Sequence, residues 1–431
     1  MDFATIPLEN LVLGLKNEEI DLLDYLQSSS NLTEDSDKNI QALLPEKNRL
    51  DRLIAEGKSL KKQFPEKNGR PPFYGVLFGV KDIINVDGFP TKAGSKLPPH
   101  LFEGLEAPIV EKIKKTGGIV LGKTVTTEFA FLDPGPTRNP LNLEHTPGGS
   151  SSGSAAAVAA GYCPIAIGTQ TIGSVIRPGA FCGVIGYKPT QGWVSNEGIV
   201  PLAKTLDQVG FFSRRIEDME FFFCSIVREQ GTEESKFSDK LKIGVQGGNF
   251  LKQASPEIIK DFKEIVELLK KKLEVKPADV LGEIEKINNN LFDLLAGEKA
   301  ITHERWYSQY KDLYSEKISE SIEKGLEIDK KRLEEIRQYR MTFRAELESR
   351  MRDEGIEILI SPSTAEYPPG TIKSTGNPIM NAPWTFAGFP VLSIPVAIEG
   401  QSFPFGLQII GPMGSDYNLF RAAKVFSKAL S

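Results

Sequence analysis

Two segments rich in glycine and small hydroxyl residues constrain this chain more than any other feature. They run from Thr146 to Ser154 (TPGGSSSGS) and from Gly168 to Arg177 (GTQTIGSVIR). Glycine adopts positive φ and lets backbone N–H groups approach a ligand, and a serine hydroxyl can act as a nucleophile or relay a proton. Tight turns that carry these residues predict a site for acyl transfer.

Length and composition exclude several classes of protein. The 431 residues allow two or three domains or one large α/β unit. With 25% charged residues, a net charge of −5 and no basic block, the chain is not expected to bind nucleic acid. It has no apolar run of about 18 residues and no basic leader, which predicts a cytoplasmic protein without a membrane span. Cys163, Cys182 and Cys224 lack paired spacing and are expected to be small core residues.

The first half of the chain changes its pattern near residue 73. Apolar spacing predicts helices over residues 8–65, interrupted by a polar loop at Ser28–Lys38. Short apolar runs at 75–80 and 118–121 then alternate with helical stretches such as 107–116. This alternation predicts an α/β sheet core.

The second half contains a charged helical block and a return to strands. The helices predicted there span residues 256–272, 282–300 and 329–353. They form either a helical layer over the sheet or a cover for a substrate. Strands are predicted again at 356–360 and 390–397. Because neither an internal repeat nor a low-complexity linker is present, we expect one interrupted domain over residues 1–431.

Residues 117–124 (GGIVLGKT) match the phosphate-loop pattern, but a nucleotide site is not the interpretation we favour. A phosphate loop follows a strand and opens a helix. Here a helix precedes the motif, and its central residues 119–121 favour a strand themselves. We therefore predict a strand at this position.

Residues 149–153 (GSSSG) match the nucleophile elbow of α/β-hydrolases, with Ser151 at its centre. That fold needs a strand before the turn and a histidine after it. Of the three histidines, only His303 lies downstream, in a charged helical stretch that we interpret as solvated surface. A Ser-His-Asp triad is therefore poorly supported.

Without a histidine, a serine nucleophile needs another base, and Lys81 is the candidate. It ends the apolar run 74–80, and burial at a strand end would lower its pKa toward the neutral form. From position alone, Lys81 could equally snorkel or pair with Asp82. The serine-rich segment has a purely structural alternative too, a small-residue turn followed by a packed helix at 154–160.

Three motifs in fixed order resemble the amidase signature family. They are GVKD with Lys81, GGSSSGSAAAVAAG at 148–161, and GTQTIGSVIRP at 168–178 followed by GVIGYKPT at 183–190. The ending, with 381–390 and 405–411, is also typical. The resemblance implies an α/β fold with a large central mixed β-sheet flanked by helices on both faces. It divides the chain into N-terminal helices (1–70), a signature core (71–215), a variable and largely helical substrate-shaping region (216–355) and a return to the core (356–431).

The resemblance also implies the functional residues. Ser174 would be the nucleophile, Ser150 the bridging serine after a cis Gly149-Ser150 bond, and Lys81 the base. The backbone amides of Thr171, Ile172, Gly173 and Ser174 would form the oxyanion hole. The supporting residues would be Ser151, Gln170 and Arg177.

This chain departs from the family at two positions. Most members have Asp where it has Gln170, and small residues are common where it has Ile172. Gln170 keeps hydrogen-bonding capacity but lacks the charge that would stabilise a protonated Lys81. Ile172 supplies its N–H regardless of its side chain, yet its bulk narrows the acyl pocket.

The resulting hypothesis is an amidase that converts a small-molecule carboxamide into a carboxylic acid and ammonia or an amine, with no metal and no organic cofactor. The alternatives are the glutaminase subunit of a tRNA-dependent amidotransferase and a non-catalytic interaction protein on the same fold. Phe131 and Trp384 are candidate pocket residues, together with Tyr307 and Phe221–Phe223, although each of these is more often a core residue. The helical block could serve as a homodimer face.

Overall fold

The computed structural model describes residues 3–227 and 241–430, and the strands in this part of the chain form one ten-stranded sheet. The strands are β1 (Leu77–Lys81), β2 (Ile119–Thr124), β3 (Ile165–Gln170), β4 (Ile185–Lys188), β5 (Gln208–Ser213), β6 (Ile243–Gln246), β7 (Val275–Ala278), β8 (Ile358–Pro362), β9 (Val391–Val396) and β10 (Phe405–Ile410). Their order across the sheet is β2-β1-β3-β5-β4-β9-β10-β8-β6-β7. The outer pairs are parallel, whereas the pairs from β3 to β8 are antiparallel. The predicted α/β class with a large mixed sheet is confirmed.

Helices precede, separate and follow these strands. They are α1 (Leu8–Asn17), α2 (Leu22–Ile40), α3 (Arg49–Gln63), α4 (Pro108–Lys115), α5 (Ser152–Ala159), α6 (Ile176–Phe181), α7 (Ile216–Phe222), α8 (Gly248–Leu251), α9 (Pro256–Lys270), α10 (Ile284–Tyr310), α11 (Glu316–Leu326), α12 (Lys330–Asp353), α13 (Ala382–Ala387) and α14 (Asp416–Leu430). The predicted helices at 107–116, 154–160, 256–272 and 329–353 correspond to α4, α5, α9 and α12. The one predicted at 282–300 continues as α10 to Tyr310.

Strand β1 lies between β2 and β3 and is parallel to both, so every one of its residues is buried. A strand of this kind is expected to be a continuous apolar run, as residues 75–80 are. Helix α5 packs on β1, β2, β3 and β5 through small side chains. A Cβ at Gly153 would lie 2.2 Å from the carbonyl oxygen of Ala42. The small residues of the serine-rich segment therefore allow α5 to pack closely against the sheet, whether or not they also take part in chemistry.

The predicted polar loop at Ser28–Lys38 is wrong, because these residues belong to α2. Ser29, Ser30 and Thr33 are buried on the same side as Tyr25 and Leu26, so small hydroxyl residues complete the inward stripe. The Thr33 hydroxyl donates to the carbonyl of Ser29, which satisfies it within the helix. A polar composition thus concealed helical periodicity.

The prediction for the cysteines is correct for two of the three. Cys163 and Cys182 are buried, whereas Cys224 is exposed. Cys224 lies in a π-helical turn, Phe223–Val227, whose buried residues are Phe223, Ile226 and Val227.

The region from 216 to 355 is largely helical, but it also supplies β6 and β7 to the common sheet. Within the described residues, no helix combines the length and the apolar character needed to cross a bilayer.

Candidate active site

Lys81 stands at the end of β1 with its amine inside the protein. Its side chain is fully buried, and Nζ donates to Ser150 Oγ at 2.8 Å and to Thr169 Oγ1 at 2.8 Å. Burial lowers the pKa of Lys81 well below its ordinary value, and the carboxylate of Asp207 opposes that shift. A buried amine held by two hydroxyls rather than by a carboxylate favours its neutral form, which can accept a proton.

The first glycine-serine turn presents Ser150 to this amine. The Gly149-Ser150 peptide bond is cis, as predicted. The carbonyl of Ser150 accepts from the N–H of Thr127 at 3.2 Å, and the carbonyl of Gly149 accepts from Arg177 Nη2 at 2.7 Å. The carbonyls of both residues that form this bond therefore accept hydrogen bonds from residues elsewhere in the chain.

The second turn joins β3 to α6 and carries Ser174, which is 8% exposed. The N–H of Ser151 donates to the carbonyl of Ser174 at 3.3 Å, so the two turns contact each other. No acceptor among the described residues receives a hydrogen bond from the backbone N–H groups of residues 171–174. These four consecutive amides are the ones expected to form an oxyanion hole, and that role stays a prediction.

Gln170 organises the start of α6. Its Oε1 accepts from the N–H groups of Val175 and Ile176 at 2.9 and 3.0 Å. Backbone N–H groups at the start of a helix have no partner within the helix, so Gln170 supplies one. Its Nε2 donates to Thr385 Oγ1 at 2.9 Å, and that hydroxyl donates to the carbonyl of Ile172 at 2.7 Å. Gln170 therefore supports the turn between β3 and α6 on both sides of Ser174 without carrying a charge.

Ser151 and Arg177 also brace the two turns. Ser151 Oγ donates to the carbonyl of Thr169 at 3.0 Å and accepts from the N–H of the same residue at 3.2 Å. The guanidinium of Arg177 is buried and also donates to Thr375 Oγ1 at 3.2 Å. Burial lowers the pKa of Arg177 to about 9, against the opposing charge of Glu366.

The aromatic residues predicted to line a substrate pocket lie in different environments. Phe131 is half-buried, and the amine of Lys299 lies 3.3 Å from the centre of its ring. Trp384 is fully buried against Phe250. Tyr307 is 8% exposed and donates from its hydroxyl to Glu323. Phe222 and Phe223 belong to the hydrophobic core, and Phe221 packs against it. A pocket role for Phe131 and Trp384 stays a prediction.

The structure decides two expectations from the sequence, one about a pair between Lys81 and Asp82 and one about the segment that matches the phosphate-loop pattern. Asp82 pairs with Lys123 at 3.1 Å, so pairing of Lys81 with Asp82 is wrong. Lys123 lies on β2, which occupies most of the segment that matched the phosphate loop, so the predicted strand is confirmed.

Among the described residues, no group of three or more His, Cys, Asp or Glu side chains could hold a metal ion.

The prediction that His303 lies on the solvated surface is wrong. The residue is fully buried, and its ring makes edge contacts with Phe129, Trp306 and Tyr314. Burial lowers the pKa of His303 to about 3, and the charge of Lys299 adds to the shift. The error arose because charged residues flank His303 in sequence, whereas helical geometry turns it to the opposite side.

Sequence reasoning assigned no separate role to Thr169 and missed Asp207 and Thr385. Thr169 stood inside the second motif, and its place on a strand parallel to β1 could have indicated contact with Lys81. Asp207 lies far along the chain and reaches the site only because β5 pairs with β3. Thr385 comes from α13, and no local pattern connects it to Gln170.

Comparison with known proteins places the chain among enzymes of one family. A family model described as Amidase matches residues 26–420. A glutamyl-tRNA(Gln) amidotransferase subunit of Prochlorococcus marinus (strain NATL2A) is 26% identical over 479 residues, covering 98% of this chain and 96% of that protein. The corresponding subunit of Sulfolobus acidocaldarius is 29% identical over 476 residues, covering 98% of each. A solved structure described as a crystal structure of amidase is 27% identical, with a TM-score of 0.87 over 99% of this chain and 100% of that one. Since the family model spans nearly the whole sequence, this chain belongs to the Amidase family of enzymes.

Proposed function

We propose that this protein hydrolyses a carboxamide through a serine acyl-enzyme, with Ser174 as nucleophile, Ser150 as proton relay and Lys81 as base. The observation that carries the proposal is the fully buried Lys81 amine, 2.8 Å from Ser150 Oγ. Burial lowers the pKa of Lys81 well below its ordinary value, and the neutral amine that this favours can act as a base.

The proposed reaction has two balanced halves. Ser174 Oγ bonds to the carboxamide carbon while its proton moves to Ser150, whose own proton moves to Lys81. The C–N bond then breaks, and the relay returns the proton to the leaving nitrogen, so that ammonia or an amine departs. Water next attacks the acyl ester by the same relay, releasing the carboxylic acid and restoring Ser174.

The proposed oxyanion site is the set of backbone amides at residues 171–174. They find no acceptor among the described residues, so they would not have to break a hydrogen bond before binding the tetrahedral oxygen. Removing one donor from such a site typically costs about 10²–10³ in turnover.

A second candidate function is the glutaminase subunit of a tRNA-dependent amidotransferase. The two relatives from Prochlorococcus marinus and Sulfolobus acidocaldarius favour it, because both are amidotransferase subunits. Such a subunit would need partner subunits to pass ammonia onward, and the fold alone does not decide this question. A purified chain that turns over simple amides by itself would contradict this alternative.

The direct test compares neighbouring serines. Ser174→Ala and Ser150→Ala should abolish ammonia release and fluorophosphonate labelling while the far-ultraviolet circular dichroism spectrum stays unchanged. Ser152→Ala is the matched control, because Ser152 Oγ makes only a long 3.4 Å contact with the carbonyl of Val125. It should retain activity within about a factor of three, since one weak hydrogen bond contributes little.

The substrates for this test are aliphatic, aryl and carboxylate-bearing amides and L-glutamine, with ammonia as the readout. Ammonia release that persists in Ser174→Ala contradicts the proposed nucleophile. A wild-type chain that neither releases ammonia nor takes up the fluorophosphonate supports the non-catalytic alternative.

A further inference from the structure

The neutral residue at position 170 leaves open which group supplies negative charge near Lys81. Gln170 is fully buried, and both of its amide atoms are engaged by α6 and by Thr385. Its hydrogen bonds do not include Lys81. Asp82 does not serve either, because its carboxylate pairs with Lys123.

Asp207 approaches the site from the neighbouring strand. In the antiparallel pairing of β3 with β5, Gln170 lies opposite Gln208, so Asp207 comes next to Thr171. Asp207 Oδ1 accepts from Thr171 Oγ1 at 2.6 Å. Its Oδ2 accepts from the N–H groups of Leu202 and Ala203 at 2.8 and 3.0 Å. Three donors thus fix a carboxylate that is only 8% exposed.

We propose that Asp207 is a positioning residue of the amidase mechanism, an inference that rests on the proposed function. Its carboxylate holds Thr171 at the start of the oxyanion turn, and its charge stabilises the protonated form of Lys81 that each acyl-transfer step creates. Gln170 carries no charge, so the carboxylate that acts on Lys81 belongs to Asp207, which the pairing of β5 with β3 brings to the site.

The electrostatics of the two groups are reciprocal. Asp207 is the charge that opposes the lowering of the Lys81 pKa, and Lys81 is among the groups that lower the pKa of Asp207. Burial is the larger effect on Asp207 and raises its pKa to about 6. The Lys81 amine donates to the hydroxyls of Ser150 and Thr169 and, at 3.4 Å, to the carbonyl of Thr169.

The other charged groups around Asp207 lie on separate elements. Lys204 lines the same small cavity as Asp207. Lys188, on β4, donates to Gln208 Oε1 and to the carbonyl of Phe389. Neither lysine makes a hydrogen bond to the Asp207 carboxylate, whose donors are Thr171 and the two backbone amides.

Protonating Asp207 removes the charge that favours a protonated Lys81, so Lys81 becomes a weaker base and Ser174 reacts more slowly. The rate of Ser174 labelling by a fluorophosphonate should therefore fall as the pH drops through about 6. This readout needs no amide substrate, so it separates the behaviour of Asp207 from the choice of substrate.

Two variants identify the group that titrates. In Asp207→Asn the inflection near pH 6 should be absent, and Ser174 should be labelled at least about tenfold more slowly at pH 8. The reason is that Lys81 is a weaker base without the Asp207 charge. Thr171→Val should move the inflection to higher pH, because the Thr171 hydrogen bond lowers the pKa of Asp207. Thr171→Val keeps the carboxylate and its two backbone donors, so it tests the assignment even where Asp207→Asn does not fold.

A wild-type profile without the inflection overturns the inference, as does an inflection that persists in Asp207→Asn or stays in place in Thr171→Val. Absence of Ser174 labelling at every pH overturns the proposed function and this inference together. Labelling without the inflection overturns this inference alone.

Discussion

Replacing Lys81 with methionine should make the protein inactive and, at neutral pH, more stable. Lys81 is fully buried, and burial lowers its pKa well below the ordinary value of 10.5. Between the folded and unfolded pKa values the unfolded chain binds more protons, so stability rises with pH over that range. Between those two pKa values, keeping this amine neutral costs about 1.4 kcal/mol for each pH unit below 10.5, relative to the unfolded chain.

Two hydrogen bonds partly offset that gain. Nζ lies 2.8 Å from both Ser150 Oγ and Thr169 Oγ1, and losing such contacts costs about 1 kcal/mol each. Methionine has a similar volume, so packing changes little. Lys81→Met should therefore be more stable than the wild type at about pH 7. The gain should vanish at about pH 9, where the cost of the neutral amine falls to the roughly 2 kcal/mol that the two hydrogen bonds contribute. Ammonia release should fall by about 10²–10⁴, the usual contribution of a general base.

Lys123→Met is the matched control, because Lys123 is also a buried lysine but pairs with Asp82 at 3.1 Å. Removing it leaves a buried carboxylate without its partner, which should destabilise the protein by about 3 kcal/mol. Urea denaturation of both variants at about pH 7 and about pH 9 gives the comparison. If Lys81→Met were destabilised at neutral pH as much as Lys123→Met, the assignment of Lys81 as a neutral buried base would be wrong.

Three further substitutions test other parts of the molecule. Burial lowers the pKa of Lys299 to about 7, so Lys299→Met should flatten the rise of stability between about pH 7.5 and 9.5 by about 1.4 kcal/mol per unit; an unchanged slope in urea denaturation contradicts this. Gln170→Glu loses its donor to Thr385 and buries a charge, so it should cost about 2 kcal/mol, and an unchanged melting temperature would refute the reasoning. Gly173→Ala places a Cβ 2.2 Å from Asn381 Oδ1, so it should lower the melting temperature and slow Ser174 labelling. Labelling at the wild-type rate would show that the turn adjusts freely.

Much of the candidate site could be predicted because its residues lie in ordered local motifs. The Gly149-Ser150 cis bond, the strand ending at Lys81 and the contact between the two glycine-serine turns agree with the expectations from residues 81, 148–161 and 168–178. Local composition was less reliable where the outcome depended on which side of a helix meets the core. For this reason the predictions of a surface position for His303 and of a loop at Ser28–Lys38 are both wrong.

The amino-acid sequence by itself indicated the α/β class through its alternation of short apolar runs and helical stretches. Its resemblance to the amidase signature family implied the family and the three candidate catalytic residues. Only the tertiary structure decided which charged side chains lie close to these three residues. The pairing of β5 with β3 brings Asp207 to Thr171 in the turn that carries Ser174. Lys123 on the adjacent strand pairs with Asp82, so Asp82 does not pair with Lys81. Electrostatic interaction depends on distance and burial, which sheet pairing sets between residues far apart in the chain and which no local pattern encodes.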